Sequence, residues 1–122
     1  MTLVDTSVWI DHFRSSEPEL VRLLTEQQVV THPAVIGELA CGLLADRNAA
    51  LRDLGELPQV AAATHEEALI MIEAQSLMGR GIGYVDLLLL ASCAVTPGTR
   101  LWTRDARLAS VASDLGLAAI GA

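Results

Sequence analysis

The chain has 122 residues, of which 52% are hydrophobic, and its formal net charge is −7. This length suits one domain, residues 1–122, with a sizeable core, and the composition excludes a disordered chain. The 8 Lys and Arg residues are all arginine, which excludes enzymes that depend on a P-loop lysine or a Schiff-base lysine. The acidity also argues against a protein that coats nucleic acid non-specifically, although bound metal ions reverse the local charge.

The apolar segments are too short for a membrane protein. The longest run, at 87–95, has about half of the roughly 18 residues that a membrane span needs. Residues 1–9 carry an acid and no basic residue, unlike the start of a secretory signal. We therefore expect a cytoplasmic chain with no membrane partner.

Hydrophobic spacing predicts short strands and amphipathic helices in the first half of the chain. Thr6 or Ser7 suits the start of the first helix, and Pro18 and Pro33 suit the starts of two others. In chain order the predicted elements are a strand at 2–5, helices at 6–13 and 17–28, a strand at 29–32, and helices at 33–45 and 47–57.

The same alternation continues in the second half. The segment 84–95 is apolar on all sides, which predicts a buried central helix. In chain order the predicted elements are an edge strand at 59–63, a helix at 65–79, a loop at 79–83, the buried helix at 84–95, a strand at 100–103, a helix at 105–116 and a last strand at 117–121. Strands that alternate with helices indicate an α/β fold with a parallel sheet.

The two cysteines, Cys41 and Cys93, both lie in apolar helical patterns. This predicts two buried thiols. Together with the three scattered histidines they show no zinc-binding spacing.

Four acidic residues follow or begin elements that meet at one edge of the predicted sheet. Asp5 ends the first strand and Asp105 follows a later one, and parallel strands present ligand sites beyond their carboxyl ends. Glu38 lies in the helix that leaves the second strand, and Asp86 lies in the first turn of the buried helix. We therefore expect these four side chains to converge on one cleft.

Each acid has an alternative explanation. Asp5, Asp86 and Asp105 also suit the starts of helices, where a carboxylate caps backbone N–H groups or complements the helix dipole. Glu38 has the weakest alternative of the four, a solvated helix face, because its neighbours one turn away are small or apolar residues. As a group, however, the four would repel one another unless a cation neutralised them. Oxygen ligands alone favour Mg²⁺ or Mn²⁺, and one or two such ions suit phosphodiester hydrolysis.

These residues resemble the four acidic motifs of PIN-domain nucleases. Their order and spacing are similar to those of the VapC-type toxins of bacterial toxin–antitoxin pairs, over residues 2–120. The matching segments are Asp5 in LVDTSVWID, Glu38 in VIGELACG, Asp86 in YVDLLLLA and Asp105 in LWTRDARL. The last motif lacks the second acid or aromatic residue that often follows in relatives.

The resemblance implies a single PIN-like domain with a parallel sheet of four or five strands flanked by helices. It implies an endoribonuclease that depends on Mg²⁺ or Mn²⁺, with Asp5, Glu38, Asp86 and Asp105 as catalytic metal ligands. Ser7 and Thr103 match the hydroxyl positions that support the acids. It also implies an antitoxin that binds near the helices of residues 17–57, a homodimer, and transfer or ribosomal RNA as substrate.

Two alternatives to this function stay open on the residues, and a third is disfavoured. The first is a catalytically silent binding module of the same fold, for RNA or a partner protein, and the second is a nuclease that cuts DNA. A hydrolase with an aspartate nucleophile is disfavoured, because it needs a second acid at position 7, where this chain has Ser7. Arg80, in the loop before the buried helix, is either an RNA phosphate contact or a solvated arginine that follows a helix.

Overall fold

The computed structural model describes residues 1–119. Its sheet is formed by three parallel strands: β1 (Thr2–Val4), β2 (Val29–Val30) and β3 (Arg100–Trp102), in the order β2-β1-β3. In the central strand Leu3 lies opposite Val30 on one side and Leu101 on the other. These side chains are buried, as expected for strands of a parallel sheet that is covered on both faces.

The two outer strands expected from the sequence are reduced to single bridges. Among the pairings of residues 1–119, Gln59 pairs only with Thr31, and Ala118 pairs only with Leu101. Beyond Val60 the chain leaves the sheet, because the N–H of Ala63 binds the Ser92 hydroxyl at 3.0 Å instead of a strand partner. The described residues thus contain three strands and not four or five, and residues 120 and 121 of the predicted last strand lie outside the described range.

Helices flank this sheet, in the predicted order. The bounds are α1 (Thr6–Arg14), α2 (Pro18–Thr25), α3 (Pro33–Ala40), α4 (Arg47–Gly55), α5 (His65–Gln75), α6 (Tyr84–Ala94) and α7 (Ala106–Asp114). The predicted α5 was too long, because Ser76 takes a left-handed conformation with φ of 52° and ends the helix. The predicted α3 was also too long, since regular structure stops at Ala40 and the apolar Leu43 is left fully exposed.

The end of α3 changes the environment of one cysteine. Cys41 follows the last helical residue and is exposed, so the prediction of two buried thiols was wrong at this position. Cys93, in contrast, is buried within α6, and burial raises the pKa of its thiol to about 12.

The predicted central helix is present as α6, which packs against α5 and β3. Six of its residues are buried, namely Leu87, Leu89, Leu90, Ala91, Ser92 and Cys93. The buried Ser92 hydroxyl donates to the Leu88 carbonyl at 2.7 Å, so that its polarity is satisfied within the helix. Within residues 1–119, neither α6 nor any other helix has the length and apolarity to cross a bilayer.

The sheet determines where the acids lie. Asp5 directly follows β1, and its N–H bonds to the Trp102 carbonyl at the end of the neighbouring β3. Asp105 lies two residues after Thr103 and is the N-cap residue of α7. Two of the four acids therefore leave adjacent parallel strands at the same edge, as the sequence predicted.

Candidate active site

Asp5 is the most buried of the four acids, with a relative exposure of 6%. Its Oδ2 accepts hydrogen bonds from the Ser7 hydroxyl at 2.9 Å and from the Thr103 hydroxyl at 2.7 Å. Although Asp5 occupies the position before α1, its side chain makes no capping bond to that helix. The capping alternative is thus wrong for Asp5, whose carboxylate is oriented by two hydroxyl groups.

The same two hydroxyls tie the acids to the loop after β3. Ser7 Oγ accepts from the Arg104 N–H at 3.0 Å, and Thr103 Oγ1 accepts from the Asp105 N–H at 3.1 Å. Each hydroxyl therefore donates to Asp5 and accepts from the loop. The arrangement fixes the start of α7 relative to the end of β1.

Asp86 is partly buried in the first turn of α6, where its Oδ2 accepts from the Gly83 N–H at 3.1 Å. Burial raises the pKa of this carboxyl, and the negative charges of Asp5 and Asp105 raise it further, while the hydrogen bond from Gly83 acts in the opposite direction. Because the charges of Asp5 and Asp105 both affect the pKa of Asp86, the three carboxylates lie close enough to interact electrostatically.

Asp105 is exposed and begins α7. Its Oδ1 accepts from the Leu108 N–H at 2.9 Å, which is a helix cap. The capping alternative is therefore right for one oxygen of Asp105, and Oδ2 is not used in that bond.

Glu38 joins the group through a contact that the sequence did not predict. Its Oε1 accepts from the Thr6 hydroxyl at 2.8 Å, across the packed helices α1 and α3. Thr6 is next to Asp5, so this bond anchors the exposed Glu38 beside the end of β1. The available signal was the position of Thr6 directly after Asp5 in the segment LVDTSVWID, but Thr6 was interpreted only as a candidate for the start of a helix.

One feature is common to all four acids. Within residues 1–119, hydrogen bonds from the protein reach one carboxylate oxygen of each acid and leave the other oxygen without a partner. The same residues contain no group of three Asp, Glu, His or Cys side chains close enough to form a ready-made metal cage. Unneutralised carboxylates repel one another, which favours such an open arrangement.

Two arginines near the acids are engaged elsewhere. Arg80 binds Asp114 Oδ2 at 2.9 Å, at the far end of α7, in a partly exposed ion pair. Arg80 is thus ion-paired with α7, which was not predicted, and the RNA contact stays a prediction. Arg104 binds Glu17 at 2.6 Å and Asp11 at 3.3 Å, and its guanidinium lies 5.6 Å from the centre of the Trp102 ring.

The sequence of the chain is similar to that of known proteins. The PIN domain family matches residues 2–114. Two curated relatives, from the CDC 1551 / Oshkosh and the ATCC 25618 / H37Rv strains of Mycobacterium tuberculosis, are both named Ribonuclease VapC32. Each is 46% identical over 118 residues, which cover 97% of this chain and 95% of the relative. The chain therefore belongs to the PIN-domain family.

Proposed function

We propose that this chain is a metal-dependent endoribonuclease and acts as the toxin of a toxin–antitoxin pair in the cytoplasm. The observation that carries the proposal is that, within residues 1–119, one oxygen of each of the carboxylates Asp5, Glu38, Asp86 and Asp105 has no hydrogen-bond partner in the protein. The charges of Asp5 and Asp105 act on Asp86, and Glu38 is linked to the residue after Asp5 through the Thr6 hydroxyl. The similarity to proteins named Ribonuclease VapC32 supports RNA as the substrate.

The donor set fits Mg²⁺ or Mn²⁺. Four carboxylates offer hard oxygen ligands, and within residues 1–119 no arginine forms a salt bridge with any of them. Burial raises the pKa of Asp86, and repulsion from Asp5 and Asp105 raises it further. A divalent cation would offset that repulsion. When bound, such an ion activates water and neutralises charge on phosphate oxygens.

The protein supplies orientation and a partly dry environment. Ser7 and Thr103 hold one oxygen of Asp5, so the other keeps a fixed direction. Thr6 does the same for Glu38, and the Gly83 N–H does so for Asp86. Hydrogen bonds that orient ligating groups commonly change metal affinity or activity by about 10–100-fold.

The test is cleavage of total bacterial RNA, beside single-stranded DNA of mixed sequence, by the purified chain in Mg²⁺, in Mn²⁺ and in EDTA. We expect discrete RNA fragments in either metal and none in EDTA. Preferential cutting of the DNA would favour the DNA nuclease. RNA binding without cleavage in any lane would favour the catalytically silent module, although such a module has no need of mutually repelling acids.

Metal binding should also stabilise the fold. We expect Mg²⁺ or Mn²⁺ at millimolar concentration to raise the melting temperature, because a ligand that binds only the folded state stabilises it by mass action, by about 2.7 kcal/mol at a hundred times its Kd. Differential scanning fluorimetry measures the shift, and Na⁺ at equal ionic strength is the control. An unchanged melting temperature would count against a metal site at these acids.

We propose that the antitoxin binds beside α1 and α3, within the region of residues 17–57 and its neighbouring helix. A groove of about 460 Å³ there is lined by the apolar residues Ile10, Phe13, Leu43 and Leu44. Leu43 has a relative exposure of 103%, and the other three side chains are partly buried. A groove with apolar walls and an exposed leucine suits the apolar face of a partner helix. Copurification of the co-expressed antitoxin should be weakened by Leu43→Asp, and unchanged capture would contradict this placement.

We also propose a homodimer. Several large apolar side chains on α5, in the segment after it and at the start of α6 are exposed, namely Leu69, Ile70, Met78 and Tyr84. Two copies of the chain can cover such side chains by packing them against each other around a two-fold axis. Light scattering should give twice the chain mass of 13.0 kDa, and the Ile70→Asp variant should give the single mass. A wild-type mass of one chain would rule the dimer out.

A further inference from the structure

The arginines on the segments that carry the acids differ in whether they form salt bridges. Arg104 and Arg80 are paired with carboxylates of α1, α2 and α7 or their flanking residues, as described above. Arg107, in the first turn of α7, is exposed, and within residues 1–119 its guanidinium makes neither a hydrogen bond nor a salt bridge. It lies two residues after Asp105, yet it pairs with none of the four acids.

The side chain of Arg107 is nevertheless placed by a specific contact. It crosses the loop before α6 at Gly81, so closely that a Cβ atom at Gly81 would lie 2.7 Å from Arg107 Cδ and 3.2 Å from Nη1. Gly81 also has a φ of +82°, which disfavours other residues. The loop continues to Gly83, whose N–H orients Asp86. Arg107 therefore spans from the segment of Asp105 to the segment of Asp86.

We propose that Arg107 binds a phosphate of the RNA backbone beside the acids, and that Gly81 makes room for it there. This inference rests on the proposed ribonuclease function. A chain with a net charge of −7 repels RNA. A cationic side chain at the cleft offsets this repulsion where the RNA backbone would bind. The guanidinium can offer two parallel N–H donors to phosphate oxygens. Within residues 1–119 no carboxylate forms a salt bridge with Arg107. Such a contact positions the backbone and reads no base.

A pair of glycine variants tests the placement of Arg107 without removing its charge. Gly81→Ala places a methyl group in the space that the Arg107 side chain occupies, so that this side chain has to move. Gly79→Ala puts the same group at a φ of +76° in the same loop, where nothing lies within 4 Å. Backbone strain is therefore matched between the two variants. We expect Gly81→Ala to lower cleavage of total bacterial RNA severalfold more than Gly79→Ala does.

Replacing the side chain tests the phosphate contact itself. We expect Arg107→Ala to lower the rate of RNA cleavage by about tenfold, with partial activity in Arg107→Lys, because hydrogen bonds to charged groups are among the stronger ones. Arg14→Ala is the control, since Arg14 is also exposed and lies at the opposite end of α1, about 12 Å along the helix from Thr6. It removes the same charge and should cut as the wild type does.

Binding provides a readout that is independent of catalysis. In the Asp86→Asn background, the affinity for a mixed-sequence single-stranded RNA is measured against salt concentration. Loss of one phosphate contact in Arg107→Ala should reduce the slope of log K against log salt by about 0.7. An unchanged slope together with wild-type cleavage by Arg107→Ala would overturn the proposal, as would equal losses in the two glycine variants. If the wild type cuts no RNA, the ribonuclease function fails, and the salt slope still decides whether Arg107 contacts RNA.

Discussion

Replacing Asp86 by asparagine should lower RNA cleavage by at least about a hundredfold. Loss of a residue that only orients a metal ligand commonly lowers activity or metal affinity by about 10–100-fold. Loss of a metal ligand itself should lower activity by more. The substitution keeps the shape of the side chain and removes its charge at a point where Asp5 and Asp105 already repel it. Initial rates of fragment formation in Mg²⁺ measure the effect. Cleavage by Asp86→Asn at the wild-type rate would exclude Asp86 from the site.

The same variant should fold and, without metal, be more stable than the wild type. The amide oxygen of asparagine can still accept the Gly83 N–H, which preserves the start of α6. Because the folded state raises the pKa of Asp86, ionisation is easier in the unfolded chain, and the wild type loses stability as pH rises through the raised pKa. Below the ordinary value of 3.8 both states are protonated, so wild type and variant should then melt alike.

In EDTA, we therefore expect the melting temperature of Asp86→Asn to exceed that of the wild type by an amount that grows from acidic to neutral pH. Asp46→Asn is a suitable control, because Asp46 lies before α4 and makes no side-chain capping bond. A variant that melts below the wild type at neutral pH would show that the Asp86 charge stabilises the fold.

Thr103→Val should have the second largest effect. The Thr103 hydroxyl donates to Asp5 at 2.7 Å and accepts from the Asp105 N–H at 3.1 Å, and valine has nearly the same shape without the hydroxyl. We expect cleavage to fall by about 10–100-fold, because the buried Asp5 loses one of the two groups that orient it. A loss of about 1–2 kcal/mol in the free energy of unfolding should accompany this change.

Thr103→Ser is the matched control, since it keeps the hydroxyl and removes only the methyl group. It should retain most of the cleavage activity and, measured by urea unfolding, most of the stability. If valine and serine at this position behave alike, the hydroxyl does not orient Asp5, and the effect arises from packing.

The convergence of Asp5 and Asp105 was predictable because it follows from chain direction. Asp5 directly follows β1 and Asp105 comes three residues after the end of β3, and parallel strands end at the same edge. The burial of α6 was predictable for a similar reason, since apolar residues occupy every side of that helix. Here the local pattern determines the tertiary position.

Other features depend on contacts between distant segments, which a single sequence does not encode locally. The bond from Thr6 to Glu38 depends on how α1 packs on α3, and the contact of Arg107 with Gly81 depends on how α7 meets the loop before α6. Cys41 and Leu43 continue the apolar pattern of α3 in sequence, but the helix ends before them. The apolar pattern therefore predicted that Cys41 and Leu43 are buried, whereas both are exposed.

The most direct test of the account is to strip the purified chain with EDTA, restore Mg²⁺ in excess, and incubate it with total bacterial RNA beside the Asp86→Asn protein treated in the same way. We expect no cleavage in EDTA, discrete fragments from the wild type once Mg²⁺ is restored, and none from the variant. Fragments that appear in EDTA, or that Asp86→Asn produces as fast as the wild type, would contradict a metal-dependent ribonuclease built on these four acids.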